Sequence, residues 1–368
     1  MKVRFCDLFL DETKNGFKIK AEEYLENGKY PIVDQGNNSI AGYTNLEKGI
    51  FENIPVIIFG DHTRVIKYID MPFFLGADGV KILKIKLNNV LPKYLFYYLK
   101  NVNIPDTGYN RHFKWLKELN FEIPNLKIQN NIVNILDRIT TIISLRQRQL
   151  KKLDELVKSR FIEMFGDPIT NSYNLPIVPL GELSELITKG ASPSWQGFSY
   201  TDDRTQTLFI TSENVREGYI DLSFPKYIED GFNDKQKRSV IHKGDFLINI
   251  VGASIGRAAQ FNFDCKANMN QAAALVRIND KRIKDNYLLI YLNSEKAQRM
   301  YDLMKSDTGR ANLSLKDISD LSILLPPIAQ QEKFEKFFMQ TDKSKLEIQK
   351  SLDKLEILKK SLMQQYFD

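Results

Sequence analysis

The chain has 368 residues, of which 43% are hydrophobic and 27% are charged. This composition is that of an ordinary globular protein with room for two or three domains, and it excludes a largely disordered chain. The formal net charge of +6 favours a polyanionic partner. No apolar run approaches the length of a membrane span, so we expect a cytoplasmic protein that does not contact a membrane.

Residues 1–122 predict a first domain of mixed α and β structure. Short strand-like runs separated by turn formers lie within 29–45, and 54–69 predict a buried strand, a turn and a second strand. Residues 93–102 are apolar at helical spacing. A polar, aromatic and basic segment, 107–124, then leads into a long helical region.

Residues 123–167 predict one long helix. Apolar residues recur three or four positions apart from about Ile128 to Met164, and neither Gly nor Pro interrupts them. Pro124 precedes this stretch and Gly166 follows it, which are typical positions for these residues at the two ends of a helix. A helix of this length is a rod of roughly 55 Å. Because its apolar stripe is narrow, the rod needs a partner helix.

Residues 168–325 contain a short linker and a second domain that repeats the order of the first. Three pairs of segments match at offsets of 175, 193 and 202 residues: 3–8 with 178–183, 77–85 with 270–278, and 106–124 with 308–326. The rise from 175 to 202 assigns 27 extra residues to loops of the second domain, where a fold tolerates insertions. In one such turn the alignment places Gly252 on Gly60 and Arg257 near Arg64.

Residues 326–368 repeat the long helix without a gap, again at an offset of 202. Pro326 falls on Pro124, and Gln331 falls on Gln129. A repeat of this kind decides the architecture. We therefore predict an α+β fold with two domains related by a pseudo-twofold repeat and separated by two long helices that pair as an antiparallel coiled coil. The alternative is that the two helices are separate coiled-coil segments that serve dimerisation.

No group of residues in the sequence predicts catalysis or metal binding. The three histidines lack ligand spacing, and Cys6 and Cys265 form no CxxC motif. The glycine-containing turn at 252–257 lacks the Lys-Ser pair of a phosphate-binding loop. No nucleophile has a base at a recognisable spacing. We therefore predict no catalytic residue, no metal and no cofactor for this chain.

Several segments carry a family resemblance: LPPIAQQEKF (325–334), GDFLINIVGASIGRAA (244–259) with NMNQAAALVRI (268–278), SRFIEMFGDP (159–168) and ITKGASPSW (187–195). With the repeat, which covers essentially the whole chain, they resemble the DNA-specificity (S) subunit of type I restriction–modification systems. The first domain departs from the pattern. FGDHTRV (59–65) stands where the family has a Gly-x-x-Gly turn, and Asp78-Gly79 stands where the second domain has Asn270-Gln271.

The resemblance implies a non-catalytic subunit whose two target-recognition domains read a bipartite, asymmetric sequence in double-stranded DNA. It also implies partners, namely two methyltransferase (modification) subunits and the restriction subunits. S-adenosylmethionine, ATP and Mg would bind those partners. An alternative within the family is the specificity subunit of a methyltransferase-only or other defence system. An alternative from another class is a coiled-coil homodimeric DNA-binding regulator, which would read a palindrome.

Loop residues with base-reading and phosphate-binding groups are the candidate DNA contacts. Arg suits guanine, Asn and Gln suit adenine, and Lys, Ser and Thr hold phosphates. The candidates of the first domain are Gln35, Asn37, Asn38, Tyr43, His62, Thr63, Arg64, Tyr109, Asn110, Arg111, His112 and Lys114. Those of the second domain are Ser192, Ser194, Trp195, Ser254, Arg257, Asn268, Asn270, Gln271, Arg310, Asn312 and Ser314. Arg111 and Arg310 stand out because each lies in the polar stretch before a long helix.

Overall fold

The structure, a computed structural model, describes residues 1–76, 78–108, 110–304 and 312–367. The chain forms two units, one of Met1–Arg148 with Gln349–Asp368 and the other of Gln149–Ile348. Two helices of 40 residues each begin in one unit and end in the other. Within the described ranges, no helix combines the length and the apolar character needed to cross a membrane.

The first unit mixes short strands and helices, as predicted. Its elements in chain order are β1 Lys2–Arg4, α1 Phe5–Leu8, β2 Phe9–Asp11, β3 Tyr30–Val33, β4 Gly42–Thr44, β5 Val56–Gly60, β6 Ile66–Ile69, β7 Phe74–Leu75, β8 Val80–Ile85, α2 Pro92–Asn101, α3 Phe113–Lys117, β9 Asn120–Glu122 and the first part of α4 Leu126–Phe165. The second part of the C-terminal long helix completes this unit.

The second unit repeats this order with additions. Its elements are β10 Ile177–Pro179, α5 Leu180–Leu183, β11 Ser184–Lys189, α6 Pro193–Gln196, β12 Tyr200–Thr201, β13 Thr207–Ile210, β14 Lys226–Ile228, α7 Gly231–Lys235, β15 Phe246–Asn249, β16 Ala258–Gln260, β17 Ala267–Met269, β18 Ala273–Ile278, α8 Asp285–Leu292, α9 Glu295–Met304, α10 Leu315–Ser319, β19 Ser322–Leu324 and α11 Ile328–Phe367. The repeat that the sequence predicts is thus present in the fold.

Each unit contains a four-stranded antiparallel sheet with the same strand order. The order is β2-β8-β5-β6 in the first unit and β11-β18-β15-β16 in the second. Phe9 pairs with Ile85, and Ser184 pairs with Ile278. The two pairs are related by offsets of 175 and 193 residues, so the strand register confirms the predicted repeat.

Each unit also contains a second sheet. Its order is β4-β3-β7 in the first unit and β12-β14-β13-β17 in the second. The pairs β3–β7 and β13–β17 are parallel. Because parallel strands end at the same edge of a sheet, the segments that follow them lie side by side. Buried strand β5 separates two cores, since Ile57 and Phe59 contact one and Ile58 contacts the other.

The start of each long helix is fixed by a buried glutamine. The Gln129 side chain donates to the carbonyl oxygens of Asn89 (3.1 Å) and Pro124 (2.8 Å) and accepts from the Leu91 N–H (2.8 Å). Gln331 repeats all three bonds in the second unit, at 2.8–2.9 Å. The proline and glutamine shared by the two sequence repeats therefore form one helix-start motif.

In each unit a segment of α4 packs against a segment of α11. In the second unit Phe161 lies 5.5 Å from Phe334 between ring centroids, and Asp154 forms an ion pair with Lys345. The contacts move forward along α11 as they move back along α4, so the segments are antiparallel. In the first unit Ile132 shares a core with Met363. The predicted antiparallel pair is confirmed, because these segments find their partner helix in their own chain.

Strand register corrects the predicted match of one turn. Gly60 pairs with Val80 in the first unit, and Asn249 pairs with Ala273 in the second. Since β8 and β18 match at an offset of 193, the counterpart of Gly60 is Asn249. Gly252 lies three residues further along, so its predicted equivalence with Gly60 is wrong. The turn after β15 is longer than the turn after β5, and matching the two glycines concealed this insertion.

Two other additions distinguish the second unit. Residues 211–225 connect β13 to β14, where the first unit has only 34–41 between β3 and β4. Helix α9 follows α8 and buries Ala297 and Tyr301 in the core. These two additions are a longer surface loop and a covering helix.

Candidate nucleic-acid interface

In the first unit, Gln35 holds three loops together at the sheet edge. Its Nε2 donates to the Asp78 carbonyl oxygen (3.0 Å), and its Oε1 accepts from the His62 N–H (3.3 Å). Its own carbonyl oxygen accepts from the Thr63 hydroxyl (2.6 Å). Residues 34–41, the turn after β5 and the turn before β8 thus form one surface. Gln35 and Thr63 make bonds that shape this surface.

His112 and Arg64 attach the segment before α3 to the same surface. The buried His112 places Nδ1 2.9 Å from the Asp61 carbonyl oxygen. Arg64, in the left-handed region at φ 60°, donates to Asp106 (2.6 Å) and to the Ile104 carbonyl oxygen (3.2 Å). The Gly108 N–H and the Arg64 charge lower the pKa of the Asp106 carboxyl. These side chains position the loop and are not free to read bases.

The remaining candidates of the first unit are mostly exposed. Asn37, Asn38, Asn110, Arg111 and Lys114 present their side chains to solvent. The Asp78 carboxyl, whose pKa is lowered mainly by Lys18, also senses the charge of Arg111, so Arg111 lies near the turn before β8. Half-buried Tyr43 lies within β4, away from the loop ends, and Tyr109 falls outside the described residues.

In the second unit, Asn249 plays the loop-joining role. It is fully buried at the end of β15, and its Nδ2 donates to the carbonyl oxygens of Ser212 (2.9 Å) and Val215 (3.3 Å) and to the Ser254 hydroxyl (3.1 Å). The turn after β15 is thereby fixed to residues 211–225. Gln35 and Asn249 have the same role, because each joins the loop after β3 or β13 to the turn after β5 or β15. They are not equivalent positions in the repeat.

The loop after β17 divides its candidates into buried and exposed ones. Asn268 is buried and uses its amide fully, accepting from Ser239 Oγ and donating to Asn233 Oδ1. Asn270 accepts from the Ala272 N–H (3.0 Å), which shapes the turn, while Gln271 is exposed. We therefore assign Asn268 a structural role.

The other second-unit candidates are spread along the chain. Arg257 and Asn312 are exposed, and Asn312 bridges to Val251 in the turn after β15. Ser314 caps α10 by accepting from the Asp317 N–H (3.1 Å). Ser192 and Ser194 lie 3.1 Å apart between their hydroxyl oxygens, next to Trp195, which is 85% exposed. Arg310 falls outside the described residues.

The sequence did not predict that residues 211–225 belong to this surface. Asn214 shapes the loop, accepting from the Thr211 N–H and donating to the Asp221 carbonyl oxygen, each at 2.9 Å. Phe224, 88% exposed, lies where the loop rejoins β14. The available signal was positional, because the loop occupies the place of residues 34–41, which already held candidates. Within the described ranges, no three His, Cys, Asp or Glu side chains are grouped to hold a metal ion.

Comparison with known proteins matches both repeats to one family. The family model for the type I restriction modification DNA specificity domain matches residues 2–155 and 175–358. The Escherichia coli EcoBI specificity subunit of a type I restriction enzyme is 23% identical, covering 96% of this chain and 82% of that protein. The Escherichia coli EcoR124I/EcoR124II specificity subunit is 29% identical over a match that spans 36% of each protein.

Solved structures share the fold. The S subunit of a type I restriction–modification system from M. genitalium has a TM-score of 0.62 at 17% identity, covering 100% of this chain and 96% of that one. A structure reported in connection with complex assembly and conformational transition of the type I R-M system has a TM-score of 0.56 at 16% identity. The match covers 100% of this chain and 97% of that one.

Proposed function

Because the chain belongs to the family of type I restriction–modification DNA specificity domains, we propose that each of its two units reads one half of a bipartite, asymmetric DNA target. The main observation that supports this proposal is that a similar loop surface occurs in both units. In both units a side-chain amide, that of half-buried Gln35 or of buried Asn249, joins the loop after one parallel strand to the turn of the main sheet. The exposed side chains around these joints differ between the units, which supports different half-sites.

We assign the recognition domains to residues 1–122 and 168–325 and the helical regions to 123–167 and 326–368. The proposed base and phosphate contacts are the exposed side chains of the loops. They are Asn37, Asn38, Asn110, Arg111 and Lys114 in the first unit, and Ser194, Trp195, Phe224, Arg257, Gln271 and Asn312 in the second. Arg is suited to guanine and Asn or Gln to adenine, whereas Lys and Ser suit phosphates.

The chain is a non-catalytic specificity subunit, because the enzymatic activities of this family lie on other subunits. Its partners are DNA and the methyltransferase and restriction subunits of the system. We propose that two methyltransferase subunits bind one chain, one for each half of the repeat. S-adenosylmethionine, ATP and Mg then bind to the partner subunits, and the assembly acts where cellular DNA is held, in the cytoplasm.

Methylation mapping tests this proposal. Host DNA should carry methyl groups at one bipartite, asymmetric sequence when this gene is present with its methyltransferase gene, and should lose them when this gene alone is deleted. Reintroducing the gene should restore the same sequence. A palindromic target without methylation would instead support the homodimeric regulator, and methylation that is indifferent to the deletion would contradict the proposal.

A further inference from the structure

Three lysines line one groove of the first unit. Lys100 lies in the last turn of α2, and Lys359 and Lys360 lie on α11. Ile143 and Met363 contribute apolar lining to this groove of about 380 Å³. We call the groove that these three residues line the lysine groove. Three cations around an apolar floor form a concave and positively charged surface.

The groove is lined by three lysines and one carboxylate, that of Glu356, so a net positive charge remains. Among the described residues, none of the three lysines forms an ion pair, and the Lys100 ammonium lies 5.0 Å from the centroid of the Phe96 ring. Partial burial lowers the pKa of Lys100. Partial burial and then the charge of Lys100 lower the pKa of Lys359, and nearby Glu356 offsets this only in part. Lys100 and Lys359 lie close enough to repel each other, which opposes folding.

The second unit shows that the fold does not need two of these lysines, whereas the third, Lys360, corresponds to another lysine, Lys158. By the offsets of the repeat, Lys100 corresponds to Asn293 and Lys359 corresponds to Val157. Asn293 donates to the Ala258 carbonyl oxygen at 2.9 Å, and Val157 is buried in the core. The same architecture is therefore stable with neutral side chains at both positions. Folding does not require a positive charge at Lys100 or Lys359, so we attribute the charge at these two positions to the binding of a ligand.

The lysine groove continues into the candidate DNA surface. Lys100 also lines a cleft of about 820 Å³ that extends to Asn37, Thr63 and Arg64. Arg64 donates to the carbonyl oxygen of Ile104, four residues after Lys100. Four residues span at most about 14 Å. This upper limit corresponds to about four steps of 3.4 Å along one DNA strand.

We propose that the lysine groove binds the phosphodiester backbone of DNA just outside the half-site that the first unit reads. The inference rests on the proposed function and adds to it a contact that is independent of base sequence. Lysine suits this role because its compact ammonium follows a phosphate without demanding a fixed planar geometry. Continuity with the reading loops favours DNA over an acidic segment of a partner protein.

The test uses the full chain assembled with its methyltransferase subunits and the double variant Lys100→Gln/Lys359→Gln. DNA affinity is measured across salt concentrations for target and non-target duplexes. The slope of log affinity against log salt should become shallower by about 1.8, with up to about 60-fold weaker binding at 0.1 M salt for both duplexes. The methylated sequence should stay the same.

Two further variants serve as controls. Lys127→Gln/Lys354→Gln removes the same charge from exposed positions outside the groove and should leave the slope unchanged. Lys100→Arg/Lys359→Arg retains the charge and should keep the slope of the original chain. The thermal midpoint of the Gln variant should not fall, because the substitution relieves repulsion, so a shallower slope cannot be attributed to unfolding.

An unchanged slope in the Gln variant overturns the inference. If assembly with the methyltransferase subunits weakens at the same time, a protein carboxylate is the occupant; if it does not, the groove is a solvated surface. Failure of the original chain to select any bipartite sequence would contradict the proposed function instead. The two failures are therefore distinguishable.

Discussion

Phe224 lies almost entirely in water although its loop is firmly held. The Asp221 carboxylate accepts from the Ser223 N–H at 3.0 Å just before Phe224, and Pro225 follows it. A rigid exposed aromatic ring loses little conformational entropy when it meets a partner, which is why such rings dominate many interfaces. DNA offers bases and sugars that an aromatic ring can stack against or wedge between.

We expect Phe224→Ala to weaken binding of the specific target by about tenfold, since a base–aromatic stack contributes about 1–3 kcal/mol. The measurement is a binding titration together with a thermal melt, which should show little change. Phe263→Ala is the matched control, because Phe263 is also partly exposed but lies in the connection between β16 and β17, at the opposite edge of the sheet. Equal loss in both variants would contradict a role in DNA contact.

Single polar residues show where sequence reasoning ends. The chemistry of Gln35, His112 and Asn268 suits base reading, yet each side chain bonds to its own protein. A buried amide or imidazole must find such partners. The direction of a side chain depends on contacts with distant segments, which the local sequence does not specify. Exposed Arg111 and Gln271 have the same chemistry and remain predicted contacts.

The turn after β15 contains two glycines with different surroundings, of which only Gly256 lies against helix α9. Gly256 has φ 87°, and a Cβ built there would lie 2.5 Å from the buried Tyr301 side chain of α9. Gly252 has φ 78° but open space around its Cβ position. The left-handed conformation alone costs an alanine about 1–2 kcal/mol.

We therefore expect Gly252→Ala to lower the free energy of unfolding by about 1–2 kcal/mol and Gly256→Ala to lower it by about 1–3 kcal/mol more, through overpacking. Chemical denaturation of both variants measures the difference. Equal losses would show that α9 does not restrain the turn. Because the turn carries Ser254 and Arg257, Gly256→Ala should also weaken recognition by the second unit.

At the level of elements, periodic helices were predictable and inserted segments were not. The predicted helix from about Ile128 to Met164 corresponds to α4 at Leu126–Phe165, because apolar spacing reports directly on the buried face. Helix α9 has no counterpart in the first unit, and residues 211–225 are much longer than their counterpart, 34–41. A repeat gives no information on residues that it lacks, so the 27 extra residues could be counted but not placed.

For the molecule as a whole, the repeat predicts independent halves of the target. Each unit has its own core and its own set of joined loops. Replacing residues 1–122 with the corresponding domain of a relative should change one half of the methylated sequence and leave the other unchanged, as methylation mapping would show. A matched replacement of 168–325 should have the reciprocal effect. A single replacement that alters both halves would show that the units do not read independently.

Each long helix is divided between the two units, and this determines the order in which the cores of the two units are completed during synthesis. The second unit is one continuous stretch of chain, Gln149–Ile348, whereas the first unit needs Gln349–Asp368 as well. Among those late residues, Met363 contributes to the same core as Ile132 and Leu136. A ribosome therefore makes most of the first unit early and completes its core only after the whole second unit has been synthesised. Until then the first part of α4 exposes an apolar face, so we expect the nascent chain to bind chaperones.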